Sequence, residues 1–251
     1  MLYKWKLTIP ALMPDMERQA YLYLPQAYFD HPSQRFPVLY MFDGHNVFFD
    51  SDATYGTSWD MFRYMNRTKT PLIIAAVECN HVGDNRLREY SPFSHENGIL
   101  GPVDALGRTM MQWLVGTFKP MIDSRLRTLP DRTHTFIAGS SMGGLMSLYA
   151  VTAFNDVFGR AACLSPSLWV DTGKSRRMLR RAQMDEDTII YMDYGSEELR
   201  NHEESFHALA GACQSLLERR IHLTFRIVPG GRHCEASWAR QVPIFLASLG
   251  L

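Results

Sequence analysis

The chain has 251 residues, 46% hydrophobic and 21% charged, which are the proportions of a folded globular protein rather than of a disordered or fibrous one. Lys plus Arg and Asp plus Glu number 26 each, and a net charge near zero gives no footing for nucleic acid or an anionic membrane as the main partner. No apolar run approaches the roughly 20 residues that cross a bilayer. The start, MLYKWKLTIPALMPDMERQAYLYLP, does not read as a signal peptide, because Lys4, Lys6, Pro10 and Pro14 interrupt its apolar residues and acids follow at once. Cys79, Cys163, Cys213 and Cys234 are scattered without a Cys-x-x-Cys pair, so a cytoplasmic protein with reduced thiols is expected. With no repeat, low-complexity tract or linker, residues 1–251 read as one domain.

YKWKLTI and RQAYLYLP alternate apolar and polar residues as half-buried strands do, with a turn over PALMPDME between them. FPVLYMF (36–42) and PLIIAAVEC (71–79) are short continuous apolar runs, the mark of strands covered on both faces. THTFIAGS (133–140), RAACLSP (160–166), TIIYMDYG (188–195) and IHLTFRIVPG (221–230) repeat the pattern. Helical spacing runs through DALGRTMMQWLVGTFKPMID, GGLMSLYAVTAF, SFHALAGACQSLLERR and the tail EASWARQVPIFLASLGL, where Pro243 marks a kink or a restart. Buried strands alternating with helices predict an α/β fold. Its central sheet is mostly parallel, with helices on both faces and an antiparallel N-terminal edge. Residues 80–101 fit neither pattern and are expected to form a polar loop. It leaves the carboxyl end of a buried strand, where ligands bind in open α/β sheets.

Gly139-Ser140-Ser141-Met142-Gly143 lies between a strand and a helix and spells G-x-S-x-G. In that turn the middle serine is pushed out above the sheet, and the residues two before and two after it press on neighbouring backbone. Ser141 is therefore the nucleophile candidate rather than Ser140. The Met142 amide, opening the helix, faces the place where negative charge would develop. A phosphate loop fits poorly, since neither G-x-x-x-x-G-K-[ST] nor G-x-G-x-x-G is present.

A serine hydroxyl needs a base, and in this kind of fold the partners follow in the order serine, acid, histidine. His233 lies in the loop after the last strand, behind Gly230 and Gly231. The acid should follow TIIYMDYG, and spacing leaves Asp193, Glu197, Glu198, Glu203 and Glu204 open. A second oxyanion donor is expected from the loop after strand 36–42, at the amide of Gly44 or His45. HEESFH (202–207) spaces its histidines five apart, which turns them away from each other on a helix at roughly 100° per residue, so a zinc-protease helix is set aside. Cys234 beside His233 has no base of its own and reads as an inert thiol.

Taken together, FPVLYMFDGHNVF, NRLREYSPF, KPMIDSRLRTLPDRTHTFIAGSSMGGLMSLYA, FGRAACLSPSLW, YMDYGSEE and PGGRHCEASW resemble the putative esterase family. That family includes esterase D and enterochelin-esterase types and, more distantly, feruloyl esterases and mycolyltransferases. The resemblance covers almost the whole chain in order. It implies an α/β-hydrolase fold, ester hydrolysis, Ser141 as nucleophile and His233 as base. It points to Glu198 for the acid, three residues past Gly195, where the family often carries Asp. It also sets SPSLW, with Trp169, beside an acyl pocket.

The resulting expectation is a serine carboxylic-ester hydrolase acting through an acyl-enzyme on a small acyl ester or lactone. Rival readings are an acyltransferase using the same site, a siderophore-trilactone esterase, a carbohydrate deacylase and, outside enzymes, a non-catalytic binding protein, which the intact serine–histidine arrangement argues against. Arg86 in the polar loop is read as a substrate contact, or else as a loop tie to Glu89 or Asp84. Phe48, Trp59, Tyr90, Phe93 and Trp169 are read as pocket walls or, equally, as ordinary core. The reaction so read needs no metal or organic cofactor. The expected partner is a small-molecule ester, with a homo-oligomer left open.

Overall fold

The computed structural model describes residues 1–97, 101–198 and 202–251. Among the described residues ten strands follow in chain order: β1 Leu2–Ile9, β2 Met13–Tyr23, β3 Val38–Met41, β4 Ile73–Val77, β5 His95–Asn97, β6 Gly101–Val103, β7 Thr135–Ser140, β8 Arg160–Leu164, β9 Ile189–Gly195 and β10 His222–Val228. Eight of them form one sheet in the order β1-β2-β4-β3-β7-β8-β9-β10. The first two strands run antiparallel to each other and β2 antiparallel to β4, and every pairing from β4 to β10 is parallel. The predicted antiparallel N-terminal edge is therefore present.

Side chains alternate across a strand, so a strand buried on both faces feeds two cores. Val38 and Tyr40 of β3 and Ile73, Ala75 and Val77 of β4 enter the core on one face. Leu39, Met41, Ile74 and Ala76 enter the other. Leu39 and Ile74 are fully buried, and truncating either to Ala would cost about 2–5 kcal/mol. The helix Met142–Ala153 is apolar nearly all round because it is buried against the sheet behind the serine turn.

Three local expectations differ. The first turn is shorter than PALMPDME, since β2 already begins at Met13 and a register shift at Thr8/Ile9 absorbs the change of direction. Residues 80–101 are not bare loop: they contain a short helix, Asn85–Glu89, and β5 pairs antiparallel with β6. A buried Arg18–Glu89 pair (2.6 and 2.7 Å) anchors that segment to β2, and the Asn80 amide donates to the same carboxylate at 3.0 Å. The helix Thr172–Arg181 escaped the sequence pattern because only Ser175 and Leu179 of it are buried, too few to mark a face. In the tail, Pro243 restarts a helix, Val242–Ser248, after Glu235–Ala239. Proline is tolerated there because the first-turn amides have no intrahelical acceptor.

Candidate active site

Ser141 sits between β7 and the helix Met142–Ala153 with φ 57° and ψ −121°. A non-glycine residue holds such a backbone only where its surroundings over-determine it. Here they do. The Ser141 amide donates to Leu164 O at 2.9 Å, and Ser141 O accepts from the amides of Leu145 and Ser167 at 3.0 and 3.1 Å. A Cβ on Gly139 would stand 2.6 Å from the Gly143 backbone, so the first glycine of the motif is required by close approach. Ser140 ends β7 and is buried.

The Ser141 hydroxyl lies 2.8 Å from His233 Nε2, and His233 Nδ1 lies 2.9 Å from Glu198 Oε2. An ionised carboxylate only accepts, so Nδ1 carries the proton, Nε2 is the acceptor and Ser141 Oγ–H donates to it. The Glu198 side chain is only 1% exposed. Its Oε1 accepts from the Gly195 amide at 2.8 Å and from the Ser165 hydroxyl. Ser165 in turn accepts the Trp238 indole N–H at 2.9 Å, and the Trp238 ring meets His233 edge-on.

Backbone contact between the loops after β9 and β10 brings Glu198 and His233 together. The amides of Ser196 and Glu197 donate to Val228 O and Gly231 O at 3.0 and 2.8 Å. A Cβ on Gly231 would come within 2.9 Å of Gly195 Cα. Of the other acid candidates, Glu197 points outward and pairs with Arg232 at 3.2 Å, both exposed. Asp193 is buried inside β9, where it accepts from Tyr191 Oη at 2.7 Å, and burial pushes its carboxyl up to about 7. The side chains of Glu203 and Glu204 lie outside the described residues.

Met142 is the first helical residue, so its amide has no carbonyl partner within the helix. Gly44 and His45 are buried in the short helical turn Gly44–Asn46 that follows β3. Asp43 enters that turn with φ 54°, and Arg86 clamps it through Nε and Nη2 at 2.8 and 2.7 Å. Burial alone would raise the Asp43 carboxyl, but the guanidinium outweighs it and holds it below the usual carboxylate range. Arg86, read from the sequence as a substrate contact or as a tie to Glu89 or Asp84, pairs instead with Asp43, which commits two of its nitrogens.

A cavity of about 370 Å³ opens over Ser141 and His233; its lining includes His45, Asn46, Asn80, Arg86 and Glu235. Trp169 is 40% exposed and is not among the described residues of that wall. Phe48 and Trp59 belong to the core on one face of the sheet, and Tyr90 to the core on the other, with Phe93 packed against it. Sequence reasoning missed Ser165 and Ser167, which touch Glu198 and Ser141 (Oγ–Oγ 3.3 Å for the latter pair). The repeated small residues of SPSLW were their only signal.

The family model described as "Putative esterase" matches residues 12–247. A Bacillus subtilis (strain 168) protein, "Uncharacterized protein YbbA", is 24% identical over 184 residues, covering 72% of this chain and 69% of that protein. Among solved structures, an IroE-like serine hydrolase from Shewanella oneidensis superposes with a TM-score of 0.76 at 17% identity, over 100% of this chain and 79% of that one. A ferulic acid esterase gives 0.72 at 17% identity, over 99% and 97%. At such identities the solved structures speak for the fold, and the family match speaks for the chemistry. With a family model running nearly from end to end over this sheet and this serine turn, the chain belongs to the putative esterase family and is an esterase.

Proposed function

We propose that the protein hydrolyses small, polar carboxylic esters through an acyl-enzyme on Ser141. His233 Nε2 takes the Ser141 proton as Oγ attacks the ester carbonyl. The developing oxyanion is met by the Met142 amide and by an amide of the Gly44–His45 turn. Collapse of the tetrahedral adduct expels the alcohol, which leaves with the proton from His233. Water then repeats the sequence, with His233 as base, and releases the acid. Glu198 holds the working tautomer and stabilises the imidazolium. The one observation that carries this reading is the unbroken hydrogen-bond relay from Ser141 through His233 to a buried, doubly anchored Glu198.

The substrate class follows from the wall. Asn46, Thr54, Tyr55, Asn80, Arg86 and Glu235 offer hydrogen-bonding groups rather than an apolar slot. Asn46 is already tied to Glu235, Asn80 to Glu89 and Arg86 to Asp43, so a long alkyl acyl chain would strip water only from the polar atoms of the wall that these pairs leave over, which costs about 1–3 kcal/mol for each one buried. A panel of p-nitrophenyl esters tests this. The expected result is a burst of one nitrophenolate per protein molecule, with kcat/KM highest for acetyl or hydroxylated acyl groups and falling toward decanoyl. Preference for decanoyl would refute the substrate class, and absence of turnover across the panel would refute the mechanism. Added alcohol should divert little of the acyl group; diversion of most of it would establish an acyltransferase instead.

A further inference from the structure

The cavity wall holds a second cluster whose side chains the ester chemistry does not use. His45, Cys79 and His81 each present one ligand-type atom, all within 4.8 Å of one another. They come from two separate places, the turn after β3 and the end of β4, so no spacing motif announces them. Three observations bear on it. His45 is 4% exposed, yet its buried Nδ1 has no hydrogen-bond partner. Buried polar atoms are nearly always paired, and an orphan calls for a ligand or a water. The Cys79 sulfur is a free thiol, 2% exposed, and lies 4.0 Å from His81 Nδ1. Finally, His81 turns its other ring nitrogen, Nε2, toward Glu78 Oε2 at 3.7 Å. Metal-ligating imidazoles commonly have a carboxylate on that far side, and Nδ1 is the nitrogen that lies toward the Cys79 sulfur.

We propose that His45, Cys79 and His81 form a binding site for a thiolate- and imidazole-preferring divalent cation of the Zn²⁺ class, with its fourth position facing the cavity. One sulfur and two ring nitrogens suit a borderline-soft ion over Mg²⁺ or Ca²⁺, which take oxygen ligands. Around a tetrahedral Zn²⁺ such donor atoms stand roughly 3.5 Å apart. Side-chain rotations moving the donors by about 1 Å therefore close the set. On binding, the Cys79 thiol gives its proton to solvent as the sulfur–metal bond forms. The site shares the cavity with Ser141 but does not depend on the role assigned to that serine.

Co²⁺ titration of the full-length protein, freed of metal by chelator, tests the site directly. The expected result is one Co²⁺ per chain with a thiolate-to-cobalt charge-transfer band in the near ultraviolet, displaced by Zn²⁺. Cys79→Ser should abolish the band. His81→Ala, a change at a half-exposed side chain, should weaken Co²⁺ binding at least as much as loss of an outer partner does, about 10–100-fold. It decides the matter if Cys79→Ser does not fold. Absence of the thiolate band from the unaltered protein, its survival in Cys79→Ser, or unchanged affinity in His81→Ala would overturn the proposal.

Discussion

Replacing Glu198 with Gln changes almost no volume, so its effect isolates charge and hydrogen-bond direction. The surroundings fix which way the new amide must point. Trp238 N–H can only donate to Ser165 Oγ, so the Ser165 hydrogen is directed at Glu198 Oε1, and the Gly195 amide donates to the same oxygen. In Glu198→Gln the amide oxygen stays with those two donors, and the NH₂ takes the place of Oε2, 2.9 Å from His233 Nδ1. A donor there forces Nδ1 to become the acceptor and moves the ring proton to Nε2. The ring then offers Ser141 a hydrogen instead of a lone pair, and general-base catalysis stops. Loss of the carboxylate in comparable triads lowers kcat by about 10⁴-fold, or about 5 kcal/mol of barrier. The assay is steady-state kcat on p-nitrophenyl acetate, with circular dichroism to verify the fold. Glu197→Gln, at the exposed pair with Arg232, is the control and should stay near the unaltered rate. A Glu198→Gln rate within about tenfold of the unaltered protein would refute the tautomer argument.

Asp193, buried in β9 with its carboxyl pushed up to about 7 by burial, should make stability fall as pH rises from about 4 to about 7. Over that range the unfolded chain ionises this group and the folded chain keeps it protonated, a difference of order 4 kcal/mol. Asp193→Asn should lose this decline and melt higher than the unaltered protein at pH 8, as followed by thermal unfolding against pH; parallel profiles for the two would contradict the assignment. Arg86→Ala strands the buried Asp43 carboxylate beside the turn that carries Gly44 and His45, at a cost of about 3 kcal/mol. It should lower kcat/KM equally for charged and neutral esters. A selective loss on anionic esters would instead make Arg86 a substrate contact.

The central strands β3, β4, β7, β8 and β9 were legible because each is buried on both faces and so writes a continuous apolar run, whereas the half-buried β1 and β2 write an alternation. Ser141 was legible because its strained turn demands glycine two positions away on the strand side, and chain order then led to His233. Choosing among the acids needed more. Glu197 and Glu198 are adjacent, and only the pinning of Gly195 against Gly231 decides which one turns inward. The partner of Arg86 was hidden for a similar reason: Asp43 is 43 residues away in the chain and reaches it only because β3 and β4 are neighbours. The aromatic residues read as pocket walls went into the two cores or onto the surface, since aromatic composition alone cannot distinguish a wall from a core. The cavity is lined by polar loop residues whose sequence looks like any solvated loop.

Catalysis as proposed requires Ser141 to form a covalent bond. Treating the protein with a fluorophosphonate, then locating the adduct by fragmenting the peptide that spans Ser140 and Ser141, tests this most directly. The predicted result is one adduct per chain on Ser141, formed in step with loss of aryl-ester turnover and absent from Ser141→Ala. An adduct on Ser140, or full turnover by Ser141→Ala, would contradict it.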